Sequence, residues 1–141
     1  PLADEASAVA NMKKACLMVV GLAMQTYRET LADQQEVLLH ASDLLIDTYG
    51  AESALLRAQA AAGSRLPTAD LQASATRLCV SEAALRIEAD ARRALAVMLD
   101  GDALRTTIAA LRRLFRQMPV NGAELRRRLA DEAVRRGAYP F

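Results

Sequence analysis

The feature that most limits how this chain can fold is a run of roughly 30 residues, Asp33 to Ala62, in which apolar residues recur at three- and four-residue spacing. This spacing is typical of one long amphipathic helix. Apolar residues make up 52% of the chain but aromatic residues only 4%, and tryptophan is missing. Strands are enriched in aromatic and β-branched residues. The sequence of 141 residues therefore predicts a single all-α domain.

Helix-breaking and capping residues divide the chain into five predicted helices. Their expected bounds are Asp4–Thr30, Asp33–Ala62, Thr68 or Ala69–Leu99, Asp102–Met118 and Asn121–Arg136. Asp33 and Asn121, each followed three positions later by glutamate, have the spacing of capping boxes. Asp102 is a predicted N-cap, and Gly63 and Gly137 are predicted C-caps. Since the connections are short, we expect an up-down antiparallel bundle of three long helices and one shorter one, with a short fifth helix crossing an end or side.

The predicted core comes from one apolar stripe on each of helices one, two and four. It consists of Val9, Met12, Cys16, Val19, Ala23 and Tyr27 in helix one, Leu38, Leu45, Tyr49 and Leu56 in helix two, and Leu104, Ile108, Leu111, Phe115 and Met118 in helix four. The run Ala15–Met24 is half of the ~20 residues that cross a bilayer, so it predicts a core helix. Cys16 and Cys79 lie in apolar runs without CxxC spacing and are expected to be buried thiols in a reducing compartment.

Charge is distributed unevenly, although the formal net charge is only +1. Residues 1–101 carry 9 basic and 13 acidic side chains, whereas residues 102–141 carry 9 basic and 4 acidic ones. Only Phe115 is interleaved with the arginines, which argues against a nucleic-acid partner. Helices four and five pair arginine-rich faces with apolar stripes, a pattern that fits an anionic membrane surface or a protein partner. The candidate residues are Arg105, Arg112, Arg113, Arg116, Arg126, Arg127 and Arg128.

Four polar residues of helix two, Glu36, His40, Asp43 and Asp47, share one helical face. Carboxylates and imidazole at this spacing can ligate a metal. His40 is the only histidine, however, and helix three has no matching pattern, so a solvated or interdomain face is favoured. No glycine-rich phosphate loop and no nucleophile–base arrangement is found. The sequence therefore predicts no catalytic residue, cofactor-binding residue or metal ligand in this chain.

Three strings carry a family resemblance: LADQQEVLLHASDLLIDTYGAESALLRAQ, RLCVSEAALRIEADARRAL and PVNGAELRRRLADEAVRRGAYPF. Their order and spacing are similar to the C-terminal helical extension of very-long-chain-type acyl-CoA dehydrogenases, over nearly the whole chain from Asp4. The resemblance implies an FAD enzyme that oxidises the Cα–Cβ bond of long-chain fatty acyl-CoA thioesters in β-oxidation. In that family a glutamate takes the α proton, FAD accepts the β hydride, and an electron-transfer flavoprotein collects the electrons.

The glutamate of that family stands in an aromatic-Glu-Gly-Thr motif, which this sequence lacks. The resemblance thus implies that residues 1–141 are one noncatalytic C-terminal domain, a piece of a larger homo-oligomeric enzyme that binds FAD and acyl-CoA elsewhere. His40, Asp43 and Asp47 are the predicted interdomain face. The alternative is a free-standing helical-bundle adaptor for a protein or an anionic membrane. Arginine outnumbers lysine 16 to 2, which suggests a GC-rich bacterial genome. We therefore expect a cytoplasmic protein that can also contact the membrane surface peripherally.

Overall fold

A computed structural model describes residues 2–141, and these form five α-helices and no strand. The helices are α1 (Ala3–Tyr27), α2 (Gln35–Gly63), α3 (Ala69–Met98), α4 (Gly101–Leu114) and α5 (Gly122–Arg136), with a 3₁₀ segment at Arg28–Asp33. The prediction of an all-α fold with three long helices, a shorter fourth and a short fifth is confirmed.

The three long helices pack against one another as antiparallel neighbours. Between α1 and α2, Lys13 pairs with Glu52 and Cys16 contacts Thr48, so the register runs in opposite directions. Helices α2 and α3 are also antiparallel. Thr76, near the start of α3, donates a hydrogen bond to the carbonyl of Ala54 late in α2, whereas Asp90, near the end of α3, contacts His40 early in α2. The core lies between these three helices.

The face that α2 buries is not the predicted one. Its buried residues are Val37, Ala41, Leu44, Thr48, Ala51, Leu55, Ala58 and Ala61. Leu38, Leu45, Tyr49 and Leu56, which were expected in the core, are instead exposed to solvent. The physical reason is that α2 carries two apolar stripes, and the alanine-containing stripe lets neighbouring helices approach closely and pack densely. Side-chain size alone favoured the wrong stripe.

Several predicted helix ends are shifted. The α-helix α1 ends at Tyr27, and Arg28 adopts a left-handed φ of 49° that starts the 3₁₀ segment. Asp33 therefore lies inside that segment, and Gln34 precedes α2 without a side-chain cap hydrogen bond. Gly63 is the last residue of α2 rather than its cap. Likewise, Asp102 belongs to the first turn of α4, so it is not the N-cap.

The predicted caps of α5 are confirmed. The Asn121 Oδ1 atom accepts a hydrogen bond from the backbone N–H of Glu124 at 3.1 Å. Gly137 ends the helix with a left-handed φ of 62°, and its N–H binds the carbonyls of Ala133 and Val134. Glycine adopts this conformation without steric cost.

The shorter helices cover one end and one side of the three-helix core. On α4, Leu111 is fully buried and Leu104, Ile108 and Phe115 are half-buried, as predicted. Met118 lies beyond the end of α4 and is exposed, so that part of the stripe was wrong. Helix α5 packs on α3, which agrees with the expected crossing of a side.

The segment Ala3–Asp33 is long and apolar enough to cross a membrane by length and composition alone. In the structure one apolar side of this segment packs into the bundle, where Met12, Ala15 and Val19 are fully buried, while Leu17 and Met24 on another side are exposed. It serves here as a core helix, as the sequence predicts for Ala15–Met24.

Candidate docking surfaces

The interhelical seam, defined here as the line of polar contacts between α2 and α3, contains two of the three predicted interdomain residues. Asp47 accepts hydrogen bonds from Arg86, with distances of 2.9 Å from Nε and 2.7 Å from Nη2. This bidentate geometry is the strong form of a carboxylate–guanidinium contact. The bond to Asp47 raises the pKa of Arg86. Asp47 is therefore already paired within the domain.

His40 lies at the other end of the interhelical seam. Its Nδ1 atom is 3.2 Å from Oδ1 of Asp90, which also accepts a hydrogen bond from Arg93 at 2.9 Å. Asp43, by contrast, is exposed and has no ion pair or side-chain hydrogen bond within residues 2–141. The side chains of His40 and Asp47 thus bind side chains of α3, whereas the Asp43 carboxylate faces solvent. Contact of this face with another domain stays a prediction.

Within the described residues, the polar side chains of α2 and α3 do not form a metal site. Across residues 2–141, no group of three or more His, Cys, Asp or Glu side chains is arranged to hold an ion. Metal ligands must converge on one point at about 2 Å. In the interhelical seam the carboxylates bind guanidinium groups. The positive charge of these groups repels a metal cation.

The predicted arginine surface divides into two kinds of residue. Arg105 pairs with Asp102 on its own helix, Arg126 pairs with Glu82 of α3, and Arg128 donates a hydrogen bond to Ser74 at 2.9 Å. Ser74 is fully buried, so this bond anchors α5 to α3. The remaining four are exposed and have no ion pair within the described part of the chain: Arg112, Arg113, Arg116 and Arg127. A membrane or partner role for this surface stays a prediction.

The two thiols are not activated nucleophiles. Cys16 is buried, with its Sγ atom 3.2 Å from Thr48 Oγ1, and burial raises its thiol pKa. Cys79 is half-buried, and burial also raises its pKa, against a smaller lowering by the charge of Arg86. A raised pKa lowers the thiolate fraction at neutral pH. The prediction of a buried thiol is confirmed for Cys16 and holds in part for Cys79.

Three clefts of the molecule are open grooves. One of about 320 Å³ lies between α2 and α3, with small residues such as Gly50, Ala54 and Ala75 as its floor and the aromatic rings of Tyr139 and Phe141 at its edge. Two others, beside α5 and beside the end of α4, are lined by mixed charges. None of them brings a nucleophile and a general base together.

A surface that sequence reasoning missed is the outer face, defined as Leu17 and Met24 of α1 with Leu38, Leu45, Tyr49 and Leu56 of α2. These side chains are between 37% and 74% exposed. Soluble monomers rarely expose apolar patches larger than a few hundred Å². The α2 part of this face is visible in the sequence as an apolar stripe at helical spacing, but the sequence analysis predicts it to be core, whereas Leu17 and Met24 belong to no predicted core stripe.

Comparison with known proteins places this geometry in a family. Residues 11–113 match the model of the acyl-CoA dehydrogenase C-terminal domain. The chain is 36% identical over 130 residues to a probable acyl-CoA dehydrogenase of Bacillus subtilis (strain 168), an alignment that covers 92% of this chain and 22% of that protein.

A solved structure is similar over almost the whole fold. It is the acyl-CoA dehydrogenase of Bacillus anthracis complexed with FAD, with a TM-score of 0.95 and 35% identity, covering 99% of this chain and 24% of that one. The chain thus spans less than a quarter of the length of either relative. The predicted acyl-CoA dehydrogenase family is confirmed, whereas the very-long-chain type stays a prediction: this chain belongs to the acyl-CoA dehydrogenase C-terminal domain family.

Proposed function

We propose that this chain is the noncatalytic C-terminal docking domain of an FAD-dependent acyl-CoA dehydrogenase. The observation that carries the proposal is the match of the whole fold to less than a quarter of an FAD-complexed acyl-CoA dehydrogenase. A domain that forms a minor part of a larger enzyme and lacks a catalytic arrangement of its own contributes through its surface.

None of the three clefts described above fits FAD. The described clefts are open grooves with charged walls or an aromatic edge. A large planar cofactor needs an enclosed and mostly apolar pocket with a few convergent polar groups. In this proposal FAD and the acyl-CoA bind the other domains of the parent enzyme, and no catalytic step is assigned to a residue of this chain.

The finer features of the parent enzyme are supported by the sequence resemblance alone. They are oxidation of long-chain acyl-CoA at Cα–Cβ in fatty-acid β-oxidation, transfer of electrons to an electron-transfer flavoprotein and a homo-oligomeric state. The strings that carry this part of the proposal include the segments Ile46–Ala51 and Cys79–Ala84. The proposed cytoplasmic location is based instead on the 16 to 2 ratio of arginine to lysine. Chain-length preference is the most specific of these features and the one to test first.

The test is made on the native polypeptide that ends in GAYPF, purified from its source cell. We expect an intact mass several times the 15.2 kDa of this chain, a yellow flavin spectrum, and anaerobic bleaching by palmitoyl-CoA that is faster than bleaching by butyryl-CoA. Faster bleaching by butyryl-CoA would contradict the long-chain assignment. A colourless native protein of 15.2 kDa would contradict the dehydrogenase itself.

A second candidate function is contact with an anionic membrane, favoured by the exposed guanidinium groups of Arg112, Arg113 and Arg116 beside the exposed Met118. Arginine side chains near an anionic surface each contribute about 1 kcal/mol, and salt screens this attraction. Flotation with vesicles should therefore require anionic lipid and weaken as salt is added. Binding that is independent of both lipid charge and salt would contradict it.

A further inference from the structure

We infer that the outer face of the α1–α2 pair is the surface that packs against the catalytic domains of the parent enzyme. This inference rests on the proposed function and specifies its contact surface. It assigns the docking role to Leu17, Met24, Leu38, Leu45, Tyr49 and Leu56. The polar face around His40 and the arginine-rich helices are thereby excluded as the principal contact.

The geometry makes one continuous patch of residues from two helices. Lys13 of α1 pairs with Glu52 of α2 across the groove between the helices. Leu17 and Met24 lie one and three turns beyond Lys13, on the same side of α1. Leu45 and Leu56 lie two turns before and one turn after Glu52, on the same side of α2. Because the pair fixes the two rows side by side, the apolar residues of both helices form a single surface.

This surface is suited to burial in a protein interface. The Lys13–Glu52 pair lies within the two rows, and its two charges neutralise each other. Lys14, three positions before Leu17, lies at the edge of the rows. Burying the middle of the surface therefore leaves no unpaired charge there, which would be costly, and the flexible stem of Lys14 lets its ammonium group reach water at the edge. The stripe from Leu38 to Leu56 is ~27 Å long. Tyr49, with 74% of its surface exposed, combines a large ring with a hydroxyl group, which is typical of interface anchors.

The rest of the fold leaves this face uncovered. Helix α3 fills the inner sides of α1 and α2, and α5 packs on α3. Leu39 and Ile46 are also exposed on α2 and flank the outer face, whereas other exposed apolar residues, such as Leu85 and Val134, lie on separate helices. Single exposed apolar residues of this kind are ordinary on protein surfaces.

The occupant we assign is the remainder of the parent chain rather than a second copy of this domain. Both relatives extend for more than three quarters of their length outside the matched region. A covalently linked partner has an effective concentration in the millimolar range for short linkers, far above that of another molecule in solution. The tethered catalytic domains therefore outcompete a free copy for the same face.

The experiment places a photo-crosslinking benzoylphenylalanine at Tyr49 in the full-length enzyme and, as a matched control, at Leu85. Both positions are exposed and helical. After irradiation, we expect crosslinked peptides from Tyr49 that map to the catalytic domains, and few or none from Leu85. Peptides that map to the outer face of another copy, adducts to lipid, or equal yields at the two positions would each overturn the inference.

A pair of double variants gives a second readout. L45E/Y49E places two carboxylates on the outer face, whereas L85E/V134E places two elsewhere at similarly exposed helical positions. Because unpaired buried charges disrupt an interface, L45E/Y49E should accelerate proteolytic release of the domain from the full-length enzyme by roughly tenfold or more. The control variant should release it at the wild-type rate. Equal release rates would overturn the inference.

These outcomes are separable from those of the proposed function. Flavin content and acyl-CoA bleaching are measured on the same preparations. If the enzyme is yellow and is bleached by acyl-CoA but Tyr49 yields no crosslink to the catalytic domains, only the outer-face assignment fails. If the preparation has no flavin, the proposed function fails whatever the crosslinks show.

Discussion

The interhelical seam and the outer face run along the same helix, α2, and differ in almost every physical respect. The seam joins α2 to α3 through charged and hydrogen-bonded groups, including the bidentate contact between Asp47 and Arg86. The outer face is apolar, and its side chains have no neighbour within residues 2–141 that covers them. The polar surface of α2 is thus used inside the domain, and an apolar surface is left outside.

This inversion shows what an unpartnered domain surface looks like. In a self-sufficient bundle, the larger apolar side chains occupy the core and the charged ones face water. Here the core of α2 is rich in alanine, while Leu45 and Tyr49 face outward. Such an arrangement is stable when further protein covers the apolar face, as we propose for the catalytic domains of the parent enzyme.

The largest expected effect separates two adjacent leucines of α2. Leu44 is fully buried, whereas Leu45 is more than half exposed. L44A should lower the unfolding free energy of the 141-residue chain by about 2–5 kcal/mol, because it leaves a cavity in the core. L45A should change it by less than about 0.5 kcal/mol. Urea unfolding of both variants measures the difference, and equal losses would contradict the assignment of the two faces.

A smaller effect distinguishes the carboxylates of the polar face. D47N removes the negative partner of Arg86 and should lower the unfolding free energy by up to about 1 kcal/mol, because much of the Arg86 side chain is in water. D43N, at an unpaired exposed position on the same helix face, should leave the stability unchanged. Thermal unfolding of the two variants provides the comparison. A larger loss for D43N would mean that the seam is wrongly described.

The thiols of Cys16, between α1 and α2, and Cys79, on α3, provide a prediction that depends on pH. Burial raises the pKa of both above the usual value of 9.0, so each stabilises the fold below that pH and loses this contribution as the pH rises through the folded value. Alkylation at pH 8 should be slower than for a free cysteine, and slower at Cys16 than at half-buried Cys79. Mass spectrometry of the time course measures both rates, and faster labelling of Cys16 would contradict the packing of α1 on α2.

The smallest effect lies at the end of α5, away from both regions. Hydrogen bonds from Arg135 and Arg136 lower the pKa of the Glu132 carboxyl from 4.5 to about 2. Because the folded value is depressed, the stabilisation is present above pH 4.5 and is lost as the pH falls through about 2. A carbon-detected NMR titration should show the low midpoint, and R135Q should raise it. A midpoint near 4.5 would show that the contacts do not persist in solution.

Most of the fold could be predicted from the sequence because helix formation is a local property. The periodicity and the Asn121 and Gly137 signals located α5 correctly. The predicted caps at Asp33 and Asp102 were wrong, because Asp33 lies inside the 3₁₀ segment and Asp102 lies inside the first turn of α4. In both cases the observed N-cap, Gln34 or Asp100, lies within two residues of the predicted one, which is the usual uncertainty of a helix end.

The candidate surface was harder to predict for a different reason. Periodicity shows that α2 has apolar stripes, but it does not show which stripe faces the core. That choice depends on how closely α1 and α3 approach, and small residues such as Ala51 and Ala58 permit the closer contact. The bonding of His40 and Asp47 to α3 joins residues 50 and 39 positions apart in sequence, so no local pattern indicates it.

The most direct measurement is a cryo-electron microscopy structure of the full-length, flavin-containing protein. We predict that the Tyr49 ring, 74% exposed in this domain, is buried against residues outside this chain, while the Asp47–Arg86 contact stays intact within the domain. A structure in which Tyr49 and Leu45 face solvent and the polar face around Asp43 contacts the catalytic domains would contradict the assignment of the outer face.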